Sequence, residues 1–105
     1  MAQIPNIIKE KVREYIAELE KNKIHLKKAI LFGSYANGKF NKWSDIDIAL
    51  VSDSFEGDRY NDRKKISRIT LDVDYRIDPL PYNTKDFEEN NLFVKEIINT
   101  GISLI

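Results

Sequence analysis

The chain of 105 residues has no cysteine, a single histidine and only three prolines. Because it has no cysteine, it forms no disulfide bond and no thiolate zinc site. No apolar stretch approaches the roughly 18 residues that a transmembrane helix requires, and residues 1–10 lack the organisation of a signal peptide. We therefore expect a cytoplasmic protein with no membrane partner.

An excess of charge of either sign is also missing. Lysine plus arginine equals aspartate plus glutamate, at 17 each, so no positive field favours a long nucleic acid as partner. The hydrophobic content of 42% and the charged content of 32% are typical of a globular protein. We expect one domain over residues 1–105, with a core small enough to leave a homo-oligomer or a partner chain open.

Periodic apolar patterns predict most of the regular elements. Residues 6–22 have the spacing of an amphipathic helix, and the apolar runs 29–32 and 46–51 predict two buried strands. Residues 84–86 resemble a helix start, and the apolar residues between 92 and 98 then suggest a helix that ends near Gly101. Residues 102–105 predict a short last strand.

The segment between the second strand and the last helix is read from charge and alternation. Residues 58–67 predict a helix, whose charged run 62–65 we interpret as a solvated face. Residues 71–77 alternate apolar and polar side chains, which predicts a half-buried strand, and Pro79 and Pro81 are expected to stop its ladder. Since strands and helices do not simply alternate, we expect an α+β fold: a small mixed β-sheet with helices packed on one face.

Gly33 and Ser34 follow the first predicted strand. A glycine there allows a sharp turn and a close approach of ligand. A serine that begins a short helix offers a hydroxyl and backbone N–H groups, which are the donors that bind phosphate. Taken alone, a Gly-Ser pair after a strand is usually only a turn.

Asp45 and Asp47 stand two residues apart at the start of the second strand, so their side chains point to the same face. Two such carboxylates repel each other, and a divalent cation removes that repulsion. Mg²⁺ in particular binds one or two carboxylates together with substrate phosphates. The alternative is a solvated or turn-capping pair, which the adjoining apolar strand disfavours.

Together these residues resemble a known signature. Gly33-Ser34, ten residues and then Asp45-Ile46-Asp47 are similar to the motif of the DNA polymerase β-like nucleotidyltransferase superfamily. The stretches 31–39 and 43–50 look like its minimal nucleotidyltransferase branch, and the resemblance extends to residues 76–82. It implies a single minimal nucleotidyltransferase domain over the whole chain.

The resemblance also implies roles for individual residues. Gly33 and Ser34 would bind the phosphates of a nucleoside triphosphate, ATP being the expected one. Asp45 and Asp47 would bind two Mg²⁺ ions. A third carboxylate on a neighbouring strand would complete the metal site and help to deprotonate an acceptor hydroxyl. Asp78 matches the family's acidic residue before a proline, and so it is expected as a catalytic residue and metal ligand, with Asp74 as the alternative.

Minimal members of this branch resemble antitoxins that pair with a small helical HEPN-type toxin, and some nucleotidylate it. The resemblance therefore implies such a toxin as partner and acceptor. One departure is Asn37, where many relatives carry an arginine that supplies positive charge near the triphosphate. Lys39, Lys42 and Arg76 are candidates to replace that charge. The departure also leaves open a second hypothesis, a non-catalytic module that neutralises a partner protein by contact.

Overall fold

The computed structural model describes residues 4–105, so the first three residues of the expected domain lie outside it. None of the helices among the described residues is long and apolar enough to cross a membrane. The elements are α1 (Asn6–Lys21), β1 (Leu26–Phe32), α2 (Ser34–Asn37), β2 (Ile46–Ser52), α3 (Arg59–Val73), β3 (Ile77–Tyr82), a 3₁₀ turn (Thr84–Asp86), α4 (Leu92–Thr100) and β4 (Ile102–Ser103).

The four strands form one sheet in the order β3-β2-β1-β4. β1 runs antiparallel to both β2 and β4, whereas β2 and β3 are parallel. The expected α+β fold with a small mixed sheet is therefore confirmed. The order leaves β3 at one edge and places β2, which carries the paired aspartates at its start, beside it.

Helices α1 and α3 pack on one face of the sheet, as expected, where apolar side chains of β1 and β2 such as Leu31 and Ile48 are fully buried. The two helices are joined by a buried hydrogen bond of 2.7 Å between the Tyr15 hydroxyl and the Thr70 hydroxyl. Helix α4 lies on the opposite face, where Ile97 packs against Ile30, so the expectation that the helices pack on one face is wrong for this helix. Both faces are covered because the central strands carry apolar side chains in both directions.

The strand expected over residues 71–77 is wrong for most of its length. Helix α3 continues to Val73, and its buried side chains Ile66, Thr70 and Val73 follow a helical spacing. Leu71, which the alternation placed on a buried side, is exposed. Thus the alternating pattern did not correspond to burial, and the helix is longer than the expected 58–67.

The expectation that Pro79 and Pro81 stop the ladder is also wrong, because both lie inside β3. They pair in register with Ile48 and Leu50 of β2. Proline lacks an N–H group and is tolerated on an edge strand when its nitrogen faces outward. Since Pro79 and Pro81 are two residues apart on an edge strand, both nitrogens point to the free edge. The same feature protects that edge against pairing with another strand.

Candidate active site

The two halves of the Gly-Ser and Asp-x-Asp motif meet across the antiparallel strands β1 and β2. Phe32, the last residue of β1, pairs in register with Asp47. Gly33 follows with φ of +75°, and a Cβ atom added to it would overlap Oδ2 of Asp47. A side chain at position 33 would therefore be strained and would displace the carboxylate. The glycine is needed for the close approach of Asp47 as well as for the turn into α2.

Asp78 enters the same site from the parallel strand β3, where it pairs in register with Asp47. Asp45 is exposed immediately before β2. Partial burial, the charges of Asp78 and Asp45, and a hydrogen bond to Asp78 together raise the pKa of Asp47 from 3.8 to about 6, with burial as the largest cause. The three aspartates expected from the sequence thus act on one another, and Asp47 lies at their centre.

Asp74, the alternative third carboxylate, is bound elsewhere. Its carboxylate accepts hydrogen bonds from the Arg76 guanidinium at 2.9 and 3.1 Å and from the Arg76 backbone N–H at 2.8 Å. These hydrogen bonds lower the pKa of Asp74. The arrangement ties down the turn between α3 and β3 and uses the carboxylate for structure. The structure therefore brings Asp78, and not Asp74, next to Asp47.

Two arginines of α3 border the carboxylates. A cavity of about 260 Å³ is lined by Asp47 and Asp78 together with Arg59 and Arg63. The Arg63 guanidinium donates to the Pro79 carbonyl at 2.6 Å and to Asp78 Oδ1 at 3.1 Å. The positive charge in the site thus comes from one side of α3, since Arg59 and Arg63 are four residues apart along the helix.

The interpretation of residues 62–65 as a solvated face is wrong for Asp62 and holds for the other three residues, which are exposed. Arg63 reaches the site, and Asp62 is buried, where its carboxylate accepts the backbone N–H groups of Glu56 and Gly57 at 2.9 Å each. Sequence reasoning missed Arg63. The available signal was its four-residue spacing from Arg59, which places both side chains on one helical face.

None of the three cations considered as replacements for the family arginine, Lys39, Lys42 and Arg76, lines the carboxylate cavity. Arg76 is held by Asp74, and the Lys42 ammonium lies 4.9 Å from the centre of the Trp43 ring. Asn37 itself accepts a hydrogen bond from the Lys39 backbone N–H at 2.9 Å. Arginines of α3 therefore provide the guanidinium groups that line the carboxylate cavity.

A second cavity, also of about 260 Å³, lies on the Gly33 side between α2 and α4. It is lined by Phe32, Gly33, Asn37 and Phe93 among others. The Phe32 and Phe93 rings meet edge to face with their centres 6.2 Å apart, and both also line the carboxylate cavity. The two cavities thus adjoin across this aromatic pair, with Gly33 on one side and Asp78 on the other.

The carboxylates of the site supply only part of the coordination shell that Mg²⁺ requires, and a substrate would supply the rest. No group of three histidine or acidic side chains within residues 4–105 is arranged to hold an ion. Asp47 and Asp78 nevertheless form a carboxylate pair whose repulsion raises a pKa, as described above. Mg²⁺ commonly uses one or two carboxylates and completes its shell with substrate phosphates and water. The residues therefore fit a metal that binds together with a phosphate substrate.

Comparisons with known proteins agree with this geometry. The model of the family described as nucleotidyltransferase domain matches residues 9–103. A provisionally named protein adenylyltransferase of Methanocaldococcus jannaschii is 33% identical over 97% of this chain and 99% of its own length. A second such protein of the same organism is 46% identical over 40% of this chain and 43% of its own length.

Solved structures share the fold. A toxin–antitoxin structure with AMP-PNP has a TM-score of 0.65 and 22% identity, covering 92% of this chain and 72% of the other. A provisionally named nucleotidyltransferase from Sulfolobus solfataricus has a TM-score of 0.57 and 19% identity, with coverage of 98% and 89%. The family match extends over nearly the whole chain and includes the glycine and the aspartates that meet in the site. The chain therefore belongs to the nucleotidyltransferase domain family, and it is a transferase of nucleotidyl groups.

Proposed function

We propose that this protein transfers a nucleoside monophosphate, from ATP and in the presence of Mg²⁺, to a hydroxyl group of a partner protein. The observation that carries the proposal is the convergence of Gly33, Asp47 and Asp78. Gly33 makes room for the Asp47 carboxylate, and β3 delivers Asp78 beside it. Carboxylates gathered next to a backbone that a phosphate can approach are the components that nucleotidyl transfer requires.

Asp45, Asp47 and Asp78 would hold two Mg²⁺ ions, which would supply positive charge to the phosphate oxygens. Gly33 and Ser34 would bind the β- and γ-phosphates through the Ser34 hydroxyl and backbone N–H groups at the start of α2. The adenine base of ATP would lie against the aromatic pair Phe32 and Phe93, which borders both cavities.

Asp78 would accept the proton of the acceptor hydroxyl. The oxygen of that hydroxyl would then attack the α-phosphorus, and the bond from the α-phosphorus to the bridging oxygen would break. Pyrophosphate would leave on the Gly33 side with the electron pair of that bond. Arg59 and Arg63, which border the carboxylates, would stabilise negative charge that develops at the α-phosphate.

The acceptor and the donor are supported by the names of relatives. Two relatives are named as protein adenylyltransferases, which supports an adenylyl group and a protein acceptor. Two structures of the same fold are toxin–antitoxin proteins, one of them with AMP-PNP and the other a mutant of MntA-HpeT. We accordingly propose that the partner is a toxin, of the HEPN type implied by the resemblance, and that the pair works in the cytoplasm.

The experiment uses the purified chain, the product of the neighbouring gene and ATP labelled in the α-phosphate. We expect label on the partner only with Mg²⁺, none with ATP labelled in the γ-phosphate, and none with Asp45→Ala. Asp53→Ala, which removes an exposed carboxylate that pairs with Lys27 outside the cavity, is the matched control and should transfer like wild type.

The competing hypothesis, neutralisation by contact alone, gives a different result in the same experiment. In that case the wild-type chain binds the partner without labelling it, and Asp45→Ala binds equally well. This outcome would refute transfer to that partner while leaving the complex intact.

A further inference from the structure

A groove of about 530 Å³ lies between helix α3 and the free edge of β3. We call it the α3–β3 groove, and the lining residues that matter here are Tyr60, Arg63, Lys64, Leu71, Tyr75 and Pro79. We propose that this groove binds the acceptor: a segment of a partner protein that presents a hydroxyl group flanked by apolar and acidic side chains. The identification of this groove as an acceptor site rests on the proposed function.

The first argument is position. Arg63 and Pro79 line both the groove and the carboxylate cavity, so the two spaces adjoin. Gly33 follows β1, Asp78 lies on β3, and β2 with Asp47 lies between them. In-line displacement places the attacking and leaving oxygens on opposite sides of the phosphorus. If the triphosphate lies at Gly33, the acceptor enters from the β3 side, where the groove is.

The second argument is the exposed apolar surface of the groove. Tyr60 is 73% exposed, Leu71 67% and Tyr75 80%. They are three of the eight large apolar side chains exposed among the residues that the structure describes. Such a concentration in one concave surface next to a catalytic site is typical of a recognition surface. The long exposed side chains also offer contact area that a small acceptor molecule would not cover.

The third argument is charge. The lining of the groove includes the cations Arg63 and Lys64 and no carboxylate. Arg63 is paired with Asp78, whereas Lys64 forms no ion pair with any residue between positions 4 and 105. A segment that brings acidic side chains would complement this charge. Because the outward nitrogens of β3 belong to prolines, the segment is held by side-chain contacts and not by addition of a strand.

Aromatic side chains beside cations also suit single-stranded nucleic acid. We favour a protein segment for two reasons. The groove has only two cations, and Leu71, Ile77 and Pro79 make much of its wall apolar. Binding of nucleic acid relies on several phosphate contacts, which require a larger cluster of lysine and arginine.

The test measures binding directly, by fluorescence anisotropy and without nucleotide. The probes are a labelled peptide of alternating glutamate and leucine with a central tyrosine, the same peptide with lysine in place of glutamate, and an eight-nucleotide single-stranded RNA. The variants are the double change Leu71→Ser with Tyr75→Ser, the charge reversal Lys64→Glu, and Ile7→Ser as control. Ile7 is an exposed apolar residue of α1 outside the groove.

We expect the wild-type chain and Ile7→Ser to bind the acidic peptide equally, and tighter than the lysine peptide. The double variant should lose about tenfold in affinity, which corresponds to about 1.4 kcal/mol. Lys64→Glu should weaken the acidic peptide by roughly threefold and improve the lysine peptide. The changed side chains are exposed, and circular dichroism of each variant verifies that the fold is retained.

Three results would overturn the proposal: no binding of the acidic peptide by wild type, equal binding by wild type and the double variant, or tighter binding of RNA than of either peptide. A parallel titration of wild type with Mg²⁺ and ATP tests the proposed function separately. Peptide binding without nucleotide binding would leave the groove in place and refute transfer from ATP. Nucleotide binding without peptide binding would refute the groove as acceptor site and leave transfer from ATP in place.

Discussion

Replacement of Asp47 by asparagine should remove activity and at the same time stabilise the protein when metal is absent. The amide has nearly the shape of the carboxylate but carries no charge. In the folded protein, burial and the neighbouring carboxylates raise the pKa of Asp47 from its ordinary 3.8 to about 6. Ionisation of Asp47 therefore costs more free energy in the folded protein than in the unfolded chain, and Asp47→Asn removes that cost.

The sign and size follow from the two pKa values. Below about pH 4 the side chain is protonated in both states and contributes little, whereas above about pH 6 it is ionised in both and the full cost is present. At 1.36 kcal/mol per pH unit the upper limit is about 3 kcal/mol. Because Asp47 remains in contact with water, screening reduces this to about 1–2 kcal/mol. For a domain of this size that corresponds to a rise in Tm of about 5–15 °C.

The assay is thermal unfolding of wild type and Asp47→Asn, with EDTA, at pH 8, 5 and 4. We expect the variant to have the higher Tm at pH 8, about half that advantage at pH 5, and about a fifth of it at pH 4. Mg²⁺ should raise the Tm of wild type at pH 8 more than that of the variant, since it relieves the same repulsion. A variant that is less stable than wild type at pH 8, or an advantage that does not depend on pH, would refute the reasoning.

Three further changes test other parts of the site. Gly33→Ala should lower the free energy of unfolding in urea by about 1–3 kcal/mol, and by more than Gly38→Ala does. Both glycines have positive φ, but only a Cβ at Gly33 would overlap a carboxylate. Equal losses in the two variants would argue against that contact. Asp78→Asn should reduce label transfer at least about a hundredfold. Asp74→Asn should instead destabilise the fold and keep the activity of the folded fraction. The opposite pattern would identify Asp74 as the third carboxylate. Phe93→Ala should raise KM for ATP about tenfold with a smaller change in kcat, as loss of about 1–2 kcal/mol of stacking predicts, and an unchanged KM would remove the base from the aromatic pair.

Much of the site could be predicted from the sequence because its residues flank strands that are apolar along their own length. The runs in β1 and β2 identify two buried strands, and Gly33 and Asp47 lie at their ends. Helix α1 agrees with the expectation and α4 does so from Leu92 onward, since each has an apolar stripe of helical period. The helix start expected at residues 84–86 is wrong, because these residues form a separate 3₁₀ turn. Local patterns of this kind depend only on which side chains of one element face the core.

The segment after α3 shows where a local pattern is insufficient. Residues 71–77 alternate as a strand would, yet contacts such as the one between Thr70 and Tyr15 keep the chain helical to Val73. The two prolines suggest the end of a ladder, and only the position of β3 at the sheet edge makes them compatible with a strand.

The amino-acid sequence by itself determined the chemistry of this protein: a glycine that admits a carboxylate, paired aspartates beside it, and two apolar strands that carry them. The tertiary structure alone decided which partners they have. The parallel pairing of β2 with β3 places Asp78, and not Asp74, beside Asp47, and the packing of α3 on the sheet brings Arg63 to Asp78. The physical reason is that periodicity reports the burial of a residue within its own element, whereas these contacts depend on which elements lie side by side.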